Sequence, residues 1–222
     1  MCGRFSFSPL AKIIEDRFDV KVDSNYKPRY NIAPSQQVAV ISNANPGQLS
    51  YYRWGLIPFW AKDKKIGNNM INAKAETVIE KPSFKNSFKR KRCLIPVDGF
   101  YEWKKIDDKL KIPYRIMMQD ESLFSLAGLW DTWKDENGEL LHSFTILTTT
   151  PNELMAEIHS RMPVILQRKH EKLWLEENDT EMLESLLVPF DADIMTAYTI
   201  SKLVNAPVND SPKVFEHVVY EE

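Results

Sequence analysis

The sequence predicts an α+β fold, with mostly antiparallel, strongly bent β-sheets and helices on the outside. Strand-like segments fill the middle of the chain, and a hairpin signal at Asp135–Gly138 joins two of them. Helical spacing of apolar residues is found only in short segments, mainly near the two ends. No repeat or linker divides the 222 residues. We therefore predict a single domain over residues 1–222.

The N-terminal part is predicted to form one short helix and two strands. In SPLAKIIEDRF, Ser8 is the expected N-cap and Pro9 the first helical residue. QVAVIS from Gln37 and LSYYRWGLI from Leu49 are typical of strands. The polar segment AKDKKIGNNMINAKAET then predicts a loop.

The rest of the chain is predicted to form strands followed by helices. CLIPVDGFYEW turns at Asp98-Gly99, and PYRIMMQ, SLFSLAGLWDTW and HSFTILTTT continue the strand series. TPNELMAEIHSRMPVIL predicts a helix of about two turns that starts at a Thr150–Glu153 capping box and ends before Pro163. RKHEKLWLEE and TEMLESLL predict two further helices, and AYTISKLV a closing strand.

Composition excludes several classes of protein. The net charge is −2, so binding to nucleic acid would have to depend on a local basic patch. No apolar run is long enough to span a membrane, and the first residues lack the apolar core of a secretion signal. Two cysteines are too few for a disulfide framework and indicate a reducing compartment. With four scattered histidines they form no zinc pattern, and no cofactor is expected.

Cys2 follows the initiator methionine directly and precedes Gly3. Methionine aminopeptidases usually remove Met1 when the second residue is small, and the mature chain then begins with cysteine. Such a residue carries a free α-amine beside its thiol, a reagent that no internal residue provides. The alternative interpretation is that position 2 is an arbitrary neighbour of the start codon.

Three polar residues occur in settings that suit a reactive site. Glu102 lies between two aromatic residues in an otherwise apolar strand, where a carboxylate must be paired or exposed. His159 lies near the end of the helix predicted before Pro163, and Asn72 precedes a polar loop. Each also has a structural interpretation. Glu102 would be an edge-strand residue in water, His159 a cap of helix carbonyls and Asn72 a turn residue.

The segment KPSFKNSFKRKR, residues 81–92, is the most basic in the chain and contains no acid. Phe84 and Phe88 interleave at helical spacing, which favours a surface that follows phosphates and stacks bases on aromatic rings. The alternative is a solvated basic face whose phenylalanines anchor it to the core. Both interpretations are compatible with the sequence.

Six motifs in order resemble the SRAP (SOS response-associated peptidase) family. They are MCGRF, RYNIAPSQ, RWGLIPFWA, NAKAET, RCLIPVDGFYEW and IHSRMPVIL, and they extend from residue 2 to about residue 166. A weaker similarity continues in VNAPVND near the C-terminus. Six motifs in the right order make a specific signal, which no single one of them would be.

The resemblance implies one SRAP domain that binds single-stranded DNA at an abasic site and links itself covalently to it. The implied catalytic residues are Cys2, Asn72, Glu102 and His159. The implied DNA-binding residues are Arg4, Pro34, Trp54, Lys74, Lys89, Arg90, Arg92 and Arg161. Lys74 stands where the family usually has arginine, and lysine lacks the bidentate fork that suits phosphate.

The chemistry explains why these residue types are needed. An abasic sugar is partly an open-chain aldehyde, which an amine converts to an imine and a neighbouring thiol closes to a thiazolidine. An α-amine titrates near 7.7–8.0 and lysine near 10.4, so far more of the α-amine is reactive at pH 7. Glu102 would take the proton of the amine, His159 would protonate the ring oxygen of the sugar, and Asn72 would orient the reactants.

Three functions are compatible with this sequence. The first is the crosslinking protein, which would shield abasic sites during replication or the DNA damage response and have possible AP-lyase activity. The second is a cysteine peptidase that uses Cys2, His159 and Asn72. The third is a non-catalytic module for single-stranded DNA. We expect a monomer in the cytoplasm, associated with the nucleoid when on DNA, with partners at the replication fork unidentified.

Overall fold

Strands make up most of the regular structure in residues 2–220, the part of the chain that this computed structural model describes. Within these residues there are thirteen: β1 (Phe5–Phe7), β2 (Arg29–Ile32), β3 (Gln37–Ser42), β4 (Asn45–Trp54), β5 (Asn72–Lys74), β6 (Arg92–Val97), β7 (Gly99–Lys105), β8 (Lys111–Met118), β9 (Phe124–Lys134), β10 (Leu140–Thr149), β11 (Met162–Pro163), β12 (Ile165–Leu166) and β13 (Met195–Thr199).

Helices are short and lie in the connections. The same residues form five α-helices: α1 (Ala11–Phe18), α2 (Pro82–Arg90), α3 (Glu153–Ala156), α4 (Arg168–Glu176) and α5 (Thr180–Ser185). Short 3-10 helices cover Lys64–Asn69, Ala75–Thr77, Ala192–Ile194, Lys202–Asn205 and Pro212–Phe215. No helix in residues 2–220 combines the length and the apolar character that crossing a membrane requires.

Five strands close into a barrel in the order β10-β4-β3-β6-β9, because β9 pairs back onto β10. Neighbours in this barrel are antiparallel except β10 and β4, which run parallel at Ser143 and Arg53. β5 and β11 also pair with β10, and β12 pairs with β9. The predicted fold class, α+β with mostly antiparallel and strongly bent sheets, is confirmed.

The second sheet has the strand order β13-β8-β7-β1-β2, and its neighbours are antiparallel. β1 therefore lies inside the sheet, where Phe5 pairs with Ile32 on one side and with Phe100 on the other. An apolar core joins this sheet to the barrel. The ring of Phe5 lies 4.9 Å from that of Trp54 on β4, which stacks on Phe144 of β10 at 6.2 Å. The N-terminal strand is thus paired at both edges and packed against the barrel.

Two predicted helix starts are wrong, because Asp98 binds the first expected N-cap and Asn152 caps the second helix in place of Thr150. The first helix begins at Ala11 rather than Pro9. The hydroxyl and the N–H of Ser8 both donate to Asp98, at 2.6 and 2.7 Å, so Ser8 does not cap the helix. The helix predicted from Thr150 has four residues instead of two turns. Its N-cap is Asn152, whose side chain accepts from the Met155 N–H at 2.9 Å.

Most other predicted elements are confirmed. β3 begins at Gln37, and the chain turns at Asp98 between β6 and β7. In the predicted hairpin turn, the Gly138 N–H donates to the Asp135 carbonyl at 3.0 Å. Both predicted C-terminal helices form as α4 and α5. The segment predicted as a loop contains the 3-10 helix Lys64–Asn69 and the strand β5, because pairing with β10 orders it. The predicted closing strand ends at Thr199, before a 3-10 helix.

Candidate active site

Cys2 lies three residues before β1, and its side chain is fully buried. The side-chain amide of Asn72 donates to the Cys2 carbonyl at 2.8 Å. Asn72 is the first residue of β5, whose pairing with β10 at Ile146 attaches it to the barrel. The other amide atom of Asn72, Oδ1, is buried and accepts no hydrogen bond from residues 2–220. The amide thus fixes the backbone of Cys2 and keeps an acceptor free beside it.

Glu102 lies on β7, which runs next to the N-terminal segment. The Tyr101 N–H donates to the Arg4 carbonyl at 2.9 Å, and the same register brings Glu102 alongside the residues before Arg4. Glu102 is only 3% exposed, and this burial raises its pKa to about 7. Burial and then the charge of Glu102 raise the pKa of the Cys2 thiol. The thiol is therefore protonated at neutral pH.

His159 lies in the loop after α3 and is half-buried. Burial lowers the pKa of its imidazole. The Arg161 N–H donates to Nδ1 of His159 at 3.1 Å, and the Arg161 carbonyl lies 3.2 Å from the same nitrogen. A neutral ring accepts from the N–H, and a protonated ring donates to the carbonyl. The main chain of Arg161 can thus stabilise either protonation state of His159, as a group that exchanges protons requires.

Glu102 and His159 meet in one open cleft with a volume of about 600 Å³. Sequence reasoning predicted both of these residues but missed the others that line the cleft, which are Trp103, Lys109, Lys111, Lys202 and Asn205. These five residues are separated by up to about a hundred positions in the chain, and only the fold brings them together. The pairing of β7 with β8 supplies one wall, and the 3-10 helix at Lys202–Asn205 supplies the other.

Two predicted DNA-binding residues, Trp54 and Arg92, are corrected because neither side chain reaches the surface. Trp54 is fully buried, and its indole N–H donates to the Ile71 carbonyl at 2.9 Å. Arg92 is 1% exposed, and its guanidinium donates to backbone carbonyls that include those of Trp174 at 2.6 Å and Phe88 at 2.9 Å. Both residues hold the fold together.

The rest of the basic run lies on and beside α2. Phe84 and Phe88 are buried, so they anchor the helix and offer no platform for a base. Lys91 pairs with Asp131 at 2.6 Å. Lys89 and Arg90 are exposed, and neither lines the cleft of Glu102. A DNA contact by Lys89 and Arg90 stays a prediction.

Three other predicted DNA-binding residues, Arg4, Pro34 and Lys74, lie on or beside strands other than β7 and outside α2. Arg4 is half-buried, and its Nη1 donates to Asn31 at 2.9 Å and to the Val204 carbonyl at 2.7 Å. Pro34 follows β2 and is half-buried, whereas Lys74 is exposed at the end of β5. Arg4, Pro34 and Lys74 stay predictions as DNA contacts.

Arg161 is occupied by partners within the protein. Its two Nη atoms each donate to a carboxylate oxygen of Glu76 at 2.9 Å, and Nη2 also donates to the Thr148 carbonyl at 2.6 Å. These bonds lower the pKa of Glu76. They also attach the loop of His159 to the segment that follows Asn72. A DNA contact by Arg161, which stays a prediction, would require this ion pair to open.

The assembled site places groups that can exchange protons beside the segment of Cys2. It combines an acid that titrates near neutrality, an imidazole of lowered pKa and an amide that holds the backbone of Cys2. In residues 2–220, no group of three or more His, Cys, Asp and Glu side chains is placed to hold a metal ion. The side chains of Cys2, Glu102 and His159 suit acid–base and nucleophilic chemistry.

Comparison with known proteins identifies the family of this chain. The family model of SOS response associated peptidase (SRAP) matches residues 1–207. Abasic site processing protein YoaM of Bacillus subtilis is 50% identical over 222 residues, which cover 97% of this chain and 98% of YoaM. Abasic site processing protein HMCES of Xenopus tropicalis is 30% identical over 87% of this chain and 67% of its own.

Solved structures are also similar. A crystal structure from Bacteroides thetaiotaomicron has a TM-score of 0.90 and 33% identity, and the match covers 98% of this chain and 100% of that one. Another from Bordetella bronchiseptica has the same fold, with a TM-score of 0.80 and 24% identity over 90% of this chain and 100% of that one. With the family model matched over nearly its whole length, this chain belongs to the SRAP family.

Proposed function

We propose that this protein recognises abasic sites in single-stranded DNA and links itself to the opened sugar through Cys2, after Met1 has been removed. The observation that carries the proposal is the convergence of Asn72, Glu102 and His159 on the N-terminal segment. The names of the relatives, abasic site processing proteins, support DNA with abasic sites as the target. We expect one domain over residues 1–222 that acts as a monomer in the cytoplasm, on the nucleoid when bound to DNA.

The first bond forms between the α-amine of Cys2 and the aldehyde carbon of the open sugar. The amine adds to the carbonyl, and the carbinolamine loses water to give an imine. Glu102 suits this step because a carboxyl with a pKa of about 7 can accept the ammonium proton and return it to the departing hydroxyl. His159 would protonate the ring oxygen as the sugar opens, and the free Oδ1 of Asn72 would accept a hydrogen bond from the reacting amine.

The second bond forms between the Cys2 sulfur and the imine carbon. The neutral thiol adds across the C=N bond, so that sulfur joins carbon and the thiol proton ends on nitrogen. The product is a five-membered thiazolidine, and water from the first step is the only other product. Closure competes with β-elimination of the 3′ phosphate from the imine, so a slower closure would appear as AP-lyase activity.

A cysteine peptidase that uses Cys2, His159 and Asn72 is the alternative, and two observations disfavour it. Its nucleophile would have to be a thiolate, whereas burial raises the pKa of the Cys2 thiol. The Asn72 amide donates to the Cys2 carbonyl, while Nδ1 of His159 contacts the main chain of Arg161. The three side chains therefore do not form the relay in which an asparagine orients the histidine of a peptidase.

The deciding experiment compares the wild type with Cys2→Ala on a single-stranded oligonucleotide that contains one abasic site. Intact mass first establishes that Met1 is absent from each protein. We expect the wild type to form a heat-stable adduct with little strand cleavage. The alanine variant retains the α-amine and lacks the sulfur, so it should be trapped only by borohydride and should nick the strand.

Three outcomes would contradict the proposal. The first is a heat-stable adduct of the alanine variant, since that linkage would not be a thiazolidine. The second is efficient crosslinking by a sample that wholly retains Met1, since its Cys2 has no free amine. The third is the absence of any adduct with the wild type. Cleavage of a peptide by the wild type and not by Cys2→Ala would favour the peptidase.

A further inference from the structure

We propose that Lys109, Lys111 and Lys202 form a phosphate-binding subsite for the DNA strand that flanks the abasic sugar. The choice of DNA as the ligand rests on the function proposed above. The subsite lies in the cleft of Glu102 and His159 rather than on the basic run of α2. It is assigned from the fold, since these lysines form no cluster in the sequence.

The three lysines approach the cleft from two separate elements. Lys109 lies in the connection between β7 and β8, and Lys111 is the first residue of β8. Lys202 is the first residue of the 3-10 helix that faces them. All three are exposed and line the same cleft as Glu102 and His159. The cations therefore lie around the cleft that Glu102 and His159 line.

Nothing in residues 2–220 neutralises these charges by direct pairing. The hairpin has two acids of its own, and both have other partners. Asp107 accepts from the backbone N–H groups of Lys109 and Leu110 at 2.7 Å, and Asp108 pairs with Lys105 at 2.5 Å. The ammonium group of Lys202 lies 5.8 Å from the ring centre of Tyr220, a contact that leaves the positive charge uncompensated.

The electrostatic balance of the cleft favours an anion. Among residues 2–220, its only acidic lining residue is Glu102, which is buried and only partly ionised at neutral pH. Three ammonium groups around one cleft repel each other, and a bound anion would relieve that repulsion. The chain as a whole has a net charge of −2, so this positive region is local. Phosphates adjoining the sugar are the anions that the proposed reaction brings closest.

The two walls that carry the lysines are fixed relative to one another. The indole N–H of Trp103 on β7 donates to Oδ1 of Asn205 at 2.8 Å, and Asn205 ends the helix that begins at Lys202. The Ile200 N–H donates to the Pro113 carbonyl on β8 at 3.0 Å. Because the backbone positions are preset, only side-chain rotamers are ordered when a strand binds.

The test measures reversible binding to a fluorescent single-stranded oligonucleotide without an abasic site, by anisotropy, between 0.1 and about 1 M salt. The variant is Lys109→Gln/Lys111→Gln/Lys202→Gln. Each lost phosphate contact should reduce the salt slope by about 0.7, so the triple variant should lose about 2. That change corresponds to a loss of affinity on the order of 100-fold at 0.1 M salt.

The matched control removes three positive charges elsewhere, with Lys12→Gln/Lys169→Gln/Lys172→Gln. These lysines are exposed on α1 and α4. A slope within about 0.5 of the wild type is expected for this control. The proposal is overturned if the cleft variant keeps the wild-type slope. It is also overturned if both triple variants lose the same affinity, because net charge would then explain the effect.

A second measurement locates the contact along the strand. Oligonucleotides carry a stable abasic analogue with three neutral methylphosphonates on either its 5′ or its 3′ side. On one of the two sides, the neutral methylphosphonates should remove most of the difference in affinity between the wild type and the cleft variant. A difference that persists for both substrates would refute a subsite next to the abasic sugar.

Failure of this proposal and failure of the crosslinking function give different results. A small neutral aldehyde should still add to Cys2 in the cleft variant, as seen by intact mass, because no lysine takes part in the chemistry. If the wild type forms no adduct but its salt slope still differs from that of the cleft variant, the crosslinking proposal is wrong and the subsite proposal stands. If adducts form normally and the slope is unchanged, the subsite is wrong and crosslinking stands.

Discussion

The basic run of α2 and the cleft lysines carry the same kind of charge, and the fold uses them differently. In the run, Arg92 is buried and Lys91 is paired with Asp131, which leaves the exposed cations on a convex helix. In the cleft, Lys109 and Lys202 come from elements far apart in sequence and face the same space as Glu102. Convergence around a reactive group indicates a binding site more strongly than density of charge along the chain.

The largest expected effect is the loss of stability when Arg92, the buried residue of the basic run, is replaced. Arg92→Leu leaves several buried carbonyls without their donor, so we expect the free energy of unfolding to fall by about 4 kcal/mol. Urea unfolding measures the change. Arg90→Leu, two positions earlier and exposed, is the control and should stay within about 0.5 kcal/mol of the wild type. Equal stability of the two variants would show that the Arg92 side chain does not support the fold from a buried position.

The second prediction concerns the buried acid that the cleft contains and α2 lacks. The folded-state pKa of Glu102 is about 7, above its ordinary 4.5, so the native state holds the proton more tightly than the unfolded chain does. Stability from this group is therefore lost as pH rises from about 4.5 to 7. Glu102→Gln does not titrate and avoids this loss of stability. The free energy of unfolding of the variant minus that of the wild type should be about 2.5 kcal/mol larger at pH 8 than at pH 5.

Urea unfolding of both proteins at the two pH values gives this difference, and titrating groups that do not interact with Glu102 cancel in it. An advantage that does not depend on pH would show that Glu102 is ionised normally. The same variant should also crosslink more slowly at neutral pH, because the amide cannot take the proton of the amine.

The third prediction sets the two surfaces against each other directly. Lys109→Gln/Lys111→Gln should slow adduct formation about 25-fold at 0.1 M salt and subsaturating protein, since two phosphate contacts are lost. Lys89→Gln/Arg90→Gln should slow it only about 3-fold, through weaker long-range attraction. Gel analysis of adduct formation over time measures both rates. The reverse order of effects would make the α2 run the principal DNA surface.

The smallest effect comes from the wall of the cleft. Trp103→Phe removes the hydrogen bond to Asn205 and should weaken DNA affinity about 3-fold while small aldehydes react normally. Trp130→Phe is a matched control, because Trp130 donates to Asn43 at 2.9 Å next to Lys91. Both variants should lose about 1 kcal/mol of stability. If Trp130→Phe weakens DNA binding as much as Trp103→Phe does, the wall has no special role.

The sequence predicts features that depend on local chemistry. Alternating apolar residues gave the strands, and the turn residues at Asp98 and Asp135 located two reversals correctly. Cys2 and Glu102 were identified because their residue type is unusual for the local environment or matches a family motif. In each case the signal lies within a few neighbouring positions.

Features that depend on distant partners were not predictable. Ser8 has the chemistry of an N-cap, yet Asp98, ninety positions later, takes its hydroxyl. In the sequence, Arg92 is the last residue of a basic run. In the structure, its guanidinium is buried and donates to a carbonyl of α4. The parallel pairing of β10 with β4 inside the barrel has no local signature either. Nor does the position of Lys111 and Lys202 in one cleft.

The contact between Arg4 and Val204 has a consequence for synthesis. The two residues are 200 positions apart, so this hydrogen bond, one of several contacts of the N-terminal segment, cannot form until the ribosome has delivered Val204. At about 5–20 residues per second, this takes about 10–40 s. If Met1 is cleaved early, the nascent chain carries an unsheltered aminothiol through that interval, among the small aldehydes of metabolism. The time needed to complete the chain would then be one factor in how many molecules reach the native state with their N-terminus unreacted.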